Sequence, residues 1–124
     1  MIKLPNMLLA AAVVSASVAY TAPVKANDQL AVSICEYIAA DDKSRLRGKL
    51  KSSRIKIRNI IDSVKCNGNN MLRHAIESGA NDTGEYIVKN LSKSSLEDGA
   101  DLAWAESNHS GSPLIAVIKE RAGL

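Results

Sequence analysis

The chain has 124 residues, 46% of them apolar and 23% charged. At roughly 100–200 residues per domain, this admits one small domain and excludes a multi-domain enzyme, a long solenoid and a polytopic membrane protein. Sixteen Lys and Arg against thirteen Asp and Glu leave a formal net charge of +3, and with no Phe, one Trp and three Tyr the core must be aliphatic.

Met1–Pro5 carries one cation, Lys3, and Met7–Tyr20 follows with only Ser15 and Ser17 polar. Thr21-Ala22-Pro23-Val24-Lys25-Ala26 comes next. A basic start, a short apolar stretch and a small residue at the exit read as a secretory signal peptide over residues 1–26, cut after Ala26. The apolar stretch falls short of the about 20 residues a spanning helix needs, so no transmembrane anchor is expected after cleavage. The protein is therefore expected outside the cytoplasm, in the periplasm or secreted. Cleavage removes Lys3 and Lys25, leaving fourteen cations, thirteen acids and a net charge of +1.

The remaining chain holds two cysteines, Cys35 and Cys66. In an exported small domain an even count reads as a disulfide, and two cysteines permit one intramolecular pairing. Redox couples usually take C-x-x-C spacing, and structural zinc sites need four ligands. Neither pattern is present, so a structural staple is expected and no metal site.

In chain order, Asn27/Asp28 can cap a helix to about Ala40, with Leu30, Ile34 and Ile38 on one face. Asp41 and Asp42 offer a cap and favourable charge for a second helix, in which Leu46 and Leu50 are the clear apolar pair. From Arg54 two periods compete. Arg54-Ile55-Lys56-Ile57-Arg58 alternates like a strand, whereas Ile57, Ile60, Ile61 and Val64 share a helical face. With no second strand to pair with, the spacing predicts a third helix ending at Cys66. Asn67-Gly68-Asn69-Asn70 reads as a turn. A short helix is predicted over Met71–Ser78, stopped by Gly79. Asp82 and Glu85 have capping-box spacing for a helix to about Leu91. Lys93–Gly99 reads as a loop, Ala100–Glu106 as a short helix, and Ser112-Pro113 opens a last helix before Gly123. The prediction is an all-α fold of five or six short helices. Residues 27–93 form the stapled core, and residues 94–124 form a C-terminal extension with a short terminal helix.

Lys43, Arg45, Arg47, Lys49, Lys51, Arg54, Lys56 and Arg58 place eight cations in sixteen residues with no acid among them, whereas residues 59–124 carry six cations against nine acids. Such a stretch can bind a polyanion by releasing its counterions. It is equally the pattern of a solvated helix face. Tyr37 and Tyr86 lie outside the stretch, so stacking on single strands is not supported and no specific nucleic acid is predicted.

No catalytic constellation is legible. His74 has Glu77 and Ser78 as sequence neighbours, which is not a nucleophile held by an oriented base. His109 falls in a polar loop. Asp41-Asp42 and Glu97-Asp98 sit where caps or loops are expected, and Trp104 reads as a packing anchor. The expectation is a non-enzymatic protein without catalytic residues, metal or other cofactor. Its candidate contact surface is Lys43–Arg58, and its candidate partner is an anionic envelope component. A protein partner bound by the Gly68–Leu91 hairpin is the alternative. A small hydrolase or thiol oxidoreductase is the weakest reading.

Two resemblances add to this. Gly68, Leu72, Ala75 and Gly79 match in register the first helix of an ankyrin repeat, and Ile87-Val88-Lys89-Asn90-Leu91 resembles its second helix, shifted by a few residues. Ankyrin units need about three stacked copies to be stable, so this implies a local helical hairpin rather than an array. Cys35-Glu-Tyr-Ile-Ala-Ala-Asp-Asp-Lys-Ser-Arg-Leu-Arg, Arg54-Ile-Lys-Ile-Arg and Cys66-Asn-Gly together resemble a family of small exported gammaproteobacterial proteins, a domain of unknown function, over roughly Leu30–Leu91. That resemblance implies export and a two-cysteine framework, and no activity.

Overall fold

A computed structural model describes residues 22–124, with side chains from Gln29 onward. Most of the segment read as a signal peptide, residues 1–21, lies outside the described residues, and the expected cut after Ala26 falls inside the first helix. Residues 31–124 form one compact unit. Among the described residues there are six helices of eight residues or more: α1 (Ala22–Ala39), α2 (Lys43–Ser52), α4 (Met71–Ser78), α5 (Asn81–Lys89), α7 (Ala100–Asn108) and α8 (Leu114–Ala122). Two single turns, α3 (Ile57–Ile60) and α6 (Lys93–Leu96), complete them. Among the described residues there is no strand, only an isolated bridge between Cys66 and Asn69.

Local chemistry accounts for most of the helix ends. Asp42 caps α2 by accepting from the Arg45 N–H at 3.1 Å, and Asn70 caps α4 by accepting from the Arg73 N–H at 2.8 Å. The Ser112 hydroxyl accepts from the Leu114 N–H at 3.2 Å as α8 begins. Asn67 and Gly68 both have positive φ, as a two-residue type I′ turn requires, and Cys66 and Asn69 exchange both backbone hydrogen bonds across it.

Four predicted features differ. The first helix, expected to be capped at Asn27/Asp28, begins earlier, at Ala22, and runs through both residues. The third helix, expected from Arg54 to Cys66, is helical only over Ile57–Ile60. Arg54 is left-handed (φ 56°) and Lys56 is extended (φ −107°, ψ 143°), so the helix cannot begin at Arg54. The chain makes one helical turn, burying Ile57 and Ile61, and then turns towards Cys66. Lys93–Leu96, read as loop, is a helical turn that buries Leu96. The capping box of Asp82 and Glu85 does not open α5, which starts earlier, at Asn81. The cap comes from a distant segment: Asp41 Oδ1 accepts from the Thr83 N–H at 2.8 Å.

The helix termini share a second device. At the ends of α1, α2, α4 and α8 paired 6→1 and 5→2 backbone bonds close a Schellman motif around a left-handed residue. Gly79 and Gly123 hold that position after α4 and α8, where the absent Cβ removes the steric penalty. After α1 and α2 it is held by Asp41 and Arg54.

α5 is the centre of the packing. It lies against α4, α8 and α2, while α8 also touches α6 and α7, and α4 touches α7. Gly84 permits the close approach of α5 to α8, since a Cβ there would collide with the Leu114 side chain. Ile34, Ile38, Leu46, Met71, Leu72, Ile87 and Val88 are fully buried, and so are Ala105 and Ile118 from beyond residue 93. Each buried Leu, Ile, Val or Met contributes about 1.5–3 kcal/mol relative to exposure. Residues 94–124 are thus packed on the same core as the helices before them.

Asp41 gives the fold a direct test. Asp41→Ala removes the tertiary cap of α5 and should cost about 1–2 kcal/mol, read as a lower midpoint in urea unfolding. Asp41→Asn keeps both the acceptor and the tolerance for positive φ, and should cost less than half as much.

Candidate functional site

Cys35 on α1 and Cys66 at the turn before α4 form a disulfide, with S–S 2.04 Å and Cα atoms 5.6 Å apart. All eight cations of Lys43–Arg58 lie in the loop it closes. Two further ties hold that loop to the α4–α5 hairpin. One is the bond from the Thr83 N–H to Asp41. The other joins His74 Nε2 to the Cys35 carbonyl oxygen at 3.2 Å. A carbonyl only accepts, so Nε2 carries the proton. His74 is 7% exposed. Its described bond goes to Cys35 rather than to Glu77, which accepts from Asn69 Nδ2, or to the exposed Ser78. His74 Nδ1 and Thr83 Oγ1 are buried without a partner among the described residues.

Five of the predicted cations, Arg47, Lys51, Arg54, Lys56 and Arg58, line one open cleft of about 570 Å³. All five are exposed. Arg47 and Lys51 lie four residues apart on α2, and the left-handed Arg54 follows its cap, Ser53. The extended stretch after Arg54 then carries Lys56 to the same opening. No carboxylate lines it. Lys43, Arg45 and Lys49 lie outside it, and Arg45 is partnered by Asp42 at 3.4 Å. Among the described residues no carboxylate is within ion-pair distance of the five cleft cations.

The cleft also has an apolar side. Leu50 and Ile57 form its buried floor, and Ile55 and Tyr86 are half-buried within it. Asn90 completes the lining, its side-chain amide donating to the Tyr86 carbonyl at 2.8 Å. Tyr86 and Asn90 were not legible as site residues, because they come from α5, whereas the cations come from α2 and the segment after it. The one local signal was their i, i+4 spacing beside the buried Ile87 stripe. The aromatic residue that seemed distant in sequence is therefore beside the cations in space.

Of the other sequence candidates, Asp98, Trp104 and His109 make contacts within the domain. Asp98 accepts from the Ala100 N–H at 3.0 Å at the start of α7. Asp101 accepts from Arg73 Nε at 2.8 Å and from Asn70 Nδ2 at 3.1 Å. Arg73 in turn lies 5.3 Å from the Trp104 ring centroid, and the His109 ring is 5.4 Å from that of Trp104. This layer joins α4 to α7. Among the described residues no three His, Cys, Asp or Glu side chains are grouped to hold a metal ion, and no helix is long and apolar enough to cross a membrane.

The left-handed Arg54 makes a testable contribution to stability. Arg54→Gly should remove a steric penalty of about 1–2 kcal/mol, partly offset by the backbone freedom glycine gains when unfolded. The expected net is a stabilisation of about 0.5–1 kcal/mol, visible as a higher urea midpoint.

No curated protein and no solved structure matches the chain. One family model does, over residues 34–98, just over half of the 124 residues. That span contains both half-cystines and the whole basic segment, and it ends before α7. The chain belongs to the family described as protein of unknown function (DUF3718), here a disulfide-bonded all-α domain.

Proposed function

We propose that this is an exported, non-enzymatic binding protein that contacts a polyanionic surface of the cell envelope through Lys43–Arg58. One observation carries the reading: five of the eight cations face a single cleft that no carboxylate lines. A merely solvated helix face would spread its charges around the helix or offset them with nearby acids. Export is supported by the basic start, short apolar stretch and small exit residue of positions 1–26. Nothing in the geometry favours the adaptor reading over this one. Leu72, Ala75, Ile76, Ile87 and Val88 of the hairpin are all buried in the domain's own core, leaving a docking partner mainly polar surface.

Heparin chromatography of the oxidised chain tests the proposal. Arg47→Glu with Lys51→Glu reverses two cleft cations, and Lys43→Glu with Lys49→Glu reverses two outside it. Both pairs change net charge equally. The chain should be retained at low salt, and the cleft pair should lower the eluting salt concentration clearly more than the other pair. No retention, or equal effects of the two pairs, would remove the cleft from the account.

A further inference from the structure

We propose that the cleft takes the headgroup phosphate and adjoining carbons of a single anionic phospholipid, with Arg54 as the residue placed to meet the phosphate. This deepens the polyanion reading and rests on it.

Two observations lead there. The cleft pairs cations with accessible apolar surface at Ile55 and Tyr86, and its volume of about 570 Å³ is that of a small-molecule site. It is too small for a whole lipid and suits a headgroup with the first few chain carbons. A polyanion without an apolar part would leave Ile55 and Tyr86 unused. The second observation concerns the backbone. Of the four Schellman ends, two use glycine and two do not. Asp41 holds the left-handed position after α1 and its side chain caps α5. Arg54 holds the same position after α2, yet its guanidinium has no hydrogen-bond or ion-pair partner among the described residues and lines the cleft. Strained backbone at a surface position with no internal partner is the arrangement found where a side chain serves a ligand. An arginine there offers a forked set of donors suited to phosphate oxygens.

Calorimetric titration of the oxidised chain distinguishes the parts. The probes are dihexanoyl phosphatidylglycerol below its critical micelle concentration, glycerol phosphate, and dihexanoyl phosphatidylcholine. The anionic lipid should bind at least tenfold more tightly than either of the others. Ile55→Gln should reduce its advantage over glycerol phosphate to less than threefold. Arg54→Gly should weaken lipid binding at least fivefold while raising the urea midpoint, so that the loss cannot be ascribed to unfolding. Equal binding of the anionic lipid and glycerol phosphate would overturn the proposal, and so would equal binding of the two lipids. Unchanged lipid affinity in Arg54→Gly would overturn the role of Arg54. A chain that binds heparin through the cleft but shows no preference for the lipid retains the polyanion reading and loses this one.

Discussion

The Cys35–Cys66 bond joins points separated by 31 residues, and the whole cationic segment is strung between them. Eight like charges in sixteen residues repel one another in any compact arrangement, and few of their neighbours are acidic. The crosslink limits how far this loop can expand when the chain unfolds, an effect of about 3–4 kcal/mol in the chain-entropy model. That is a large part of the roughly 5–10 kcal/mol by which a domain of this size is stable. Leu46, Leu50 and Ile57 anchor the loop from within, each buried on the core side of a cationic stretch. His74 and Thr83 of the hairpin behind it both hold its N-terminal end, through the Cys35 carbonyl and the Asp41 side chain.

Five of these cations line one cleft that no carboxylate lines. Several acids have structural contacts. Asp41 and Asp42 cap helices, Asp98 accepts a bond as α7 begins, and Asp101 holds Arg73 against Trp104. The cations of the cleft have no comparable employment among the described residues. α5 contributes to both sides of the domain. Its buried face of Ile87 and Val88 builds the core, and Tyr86 and Asn90 reach the cleft on α2's side.

What could be read from sequence follows the range of the interactions involved. α4 was legible because its stop at Gly79 is local, whereas its cap, Asn70, reads in the sequence as a turn residue. The cysteine pairing followed from a count of two. The third helix was overextended because helical and strand-like periods overlap in Arg54–Arg58, and the break is a left-handed arginine where sequence patterns lead one to look for glycine. The capping box at Asp82 was misleading for a different reason: the helix starts earlier, at Asn81, and its Thr83 N–H is met by Asp41, 42 residues away in sequence. α6 was missed because its turn carries one apolar residue, Leu96, whose burial depends on α7 and α8 packing over it. At the site, the cations were visible as a run. Their division into five inside the cleft and three outside was not, because it depends on where α2 ends and on which residues α5 brings alongside.

Equilibrium urea unfolding of the chain with the disulfide intact, beside the same chain reduced and alkylated, tests the dependence on the crosslink most directly. The account predicts that the alkylated chain is less stable by about 3–4 kcal/mol. Coincident unfolding curves would contradict it, since the cationic loop would then be held by packing alone.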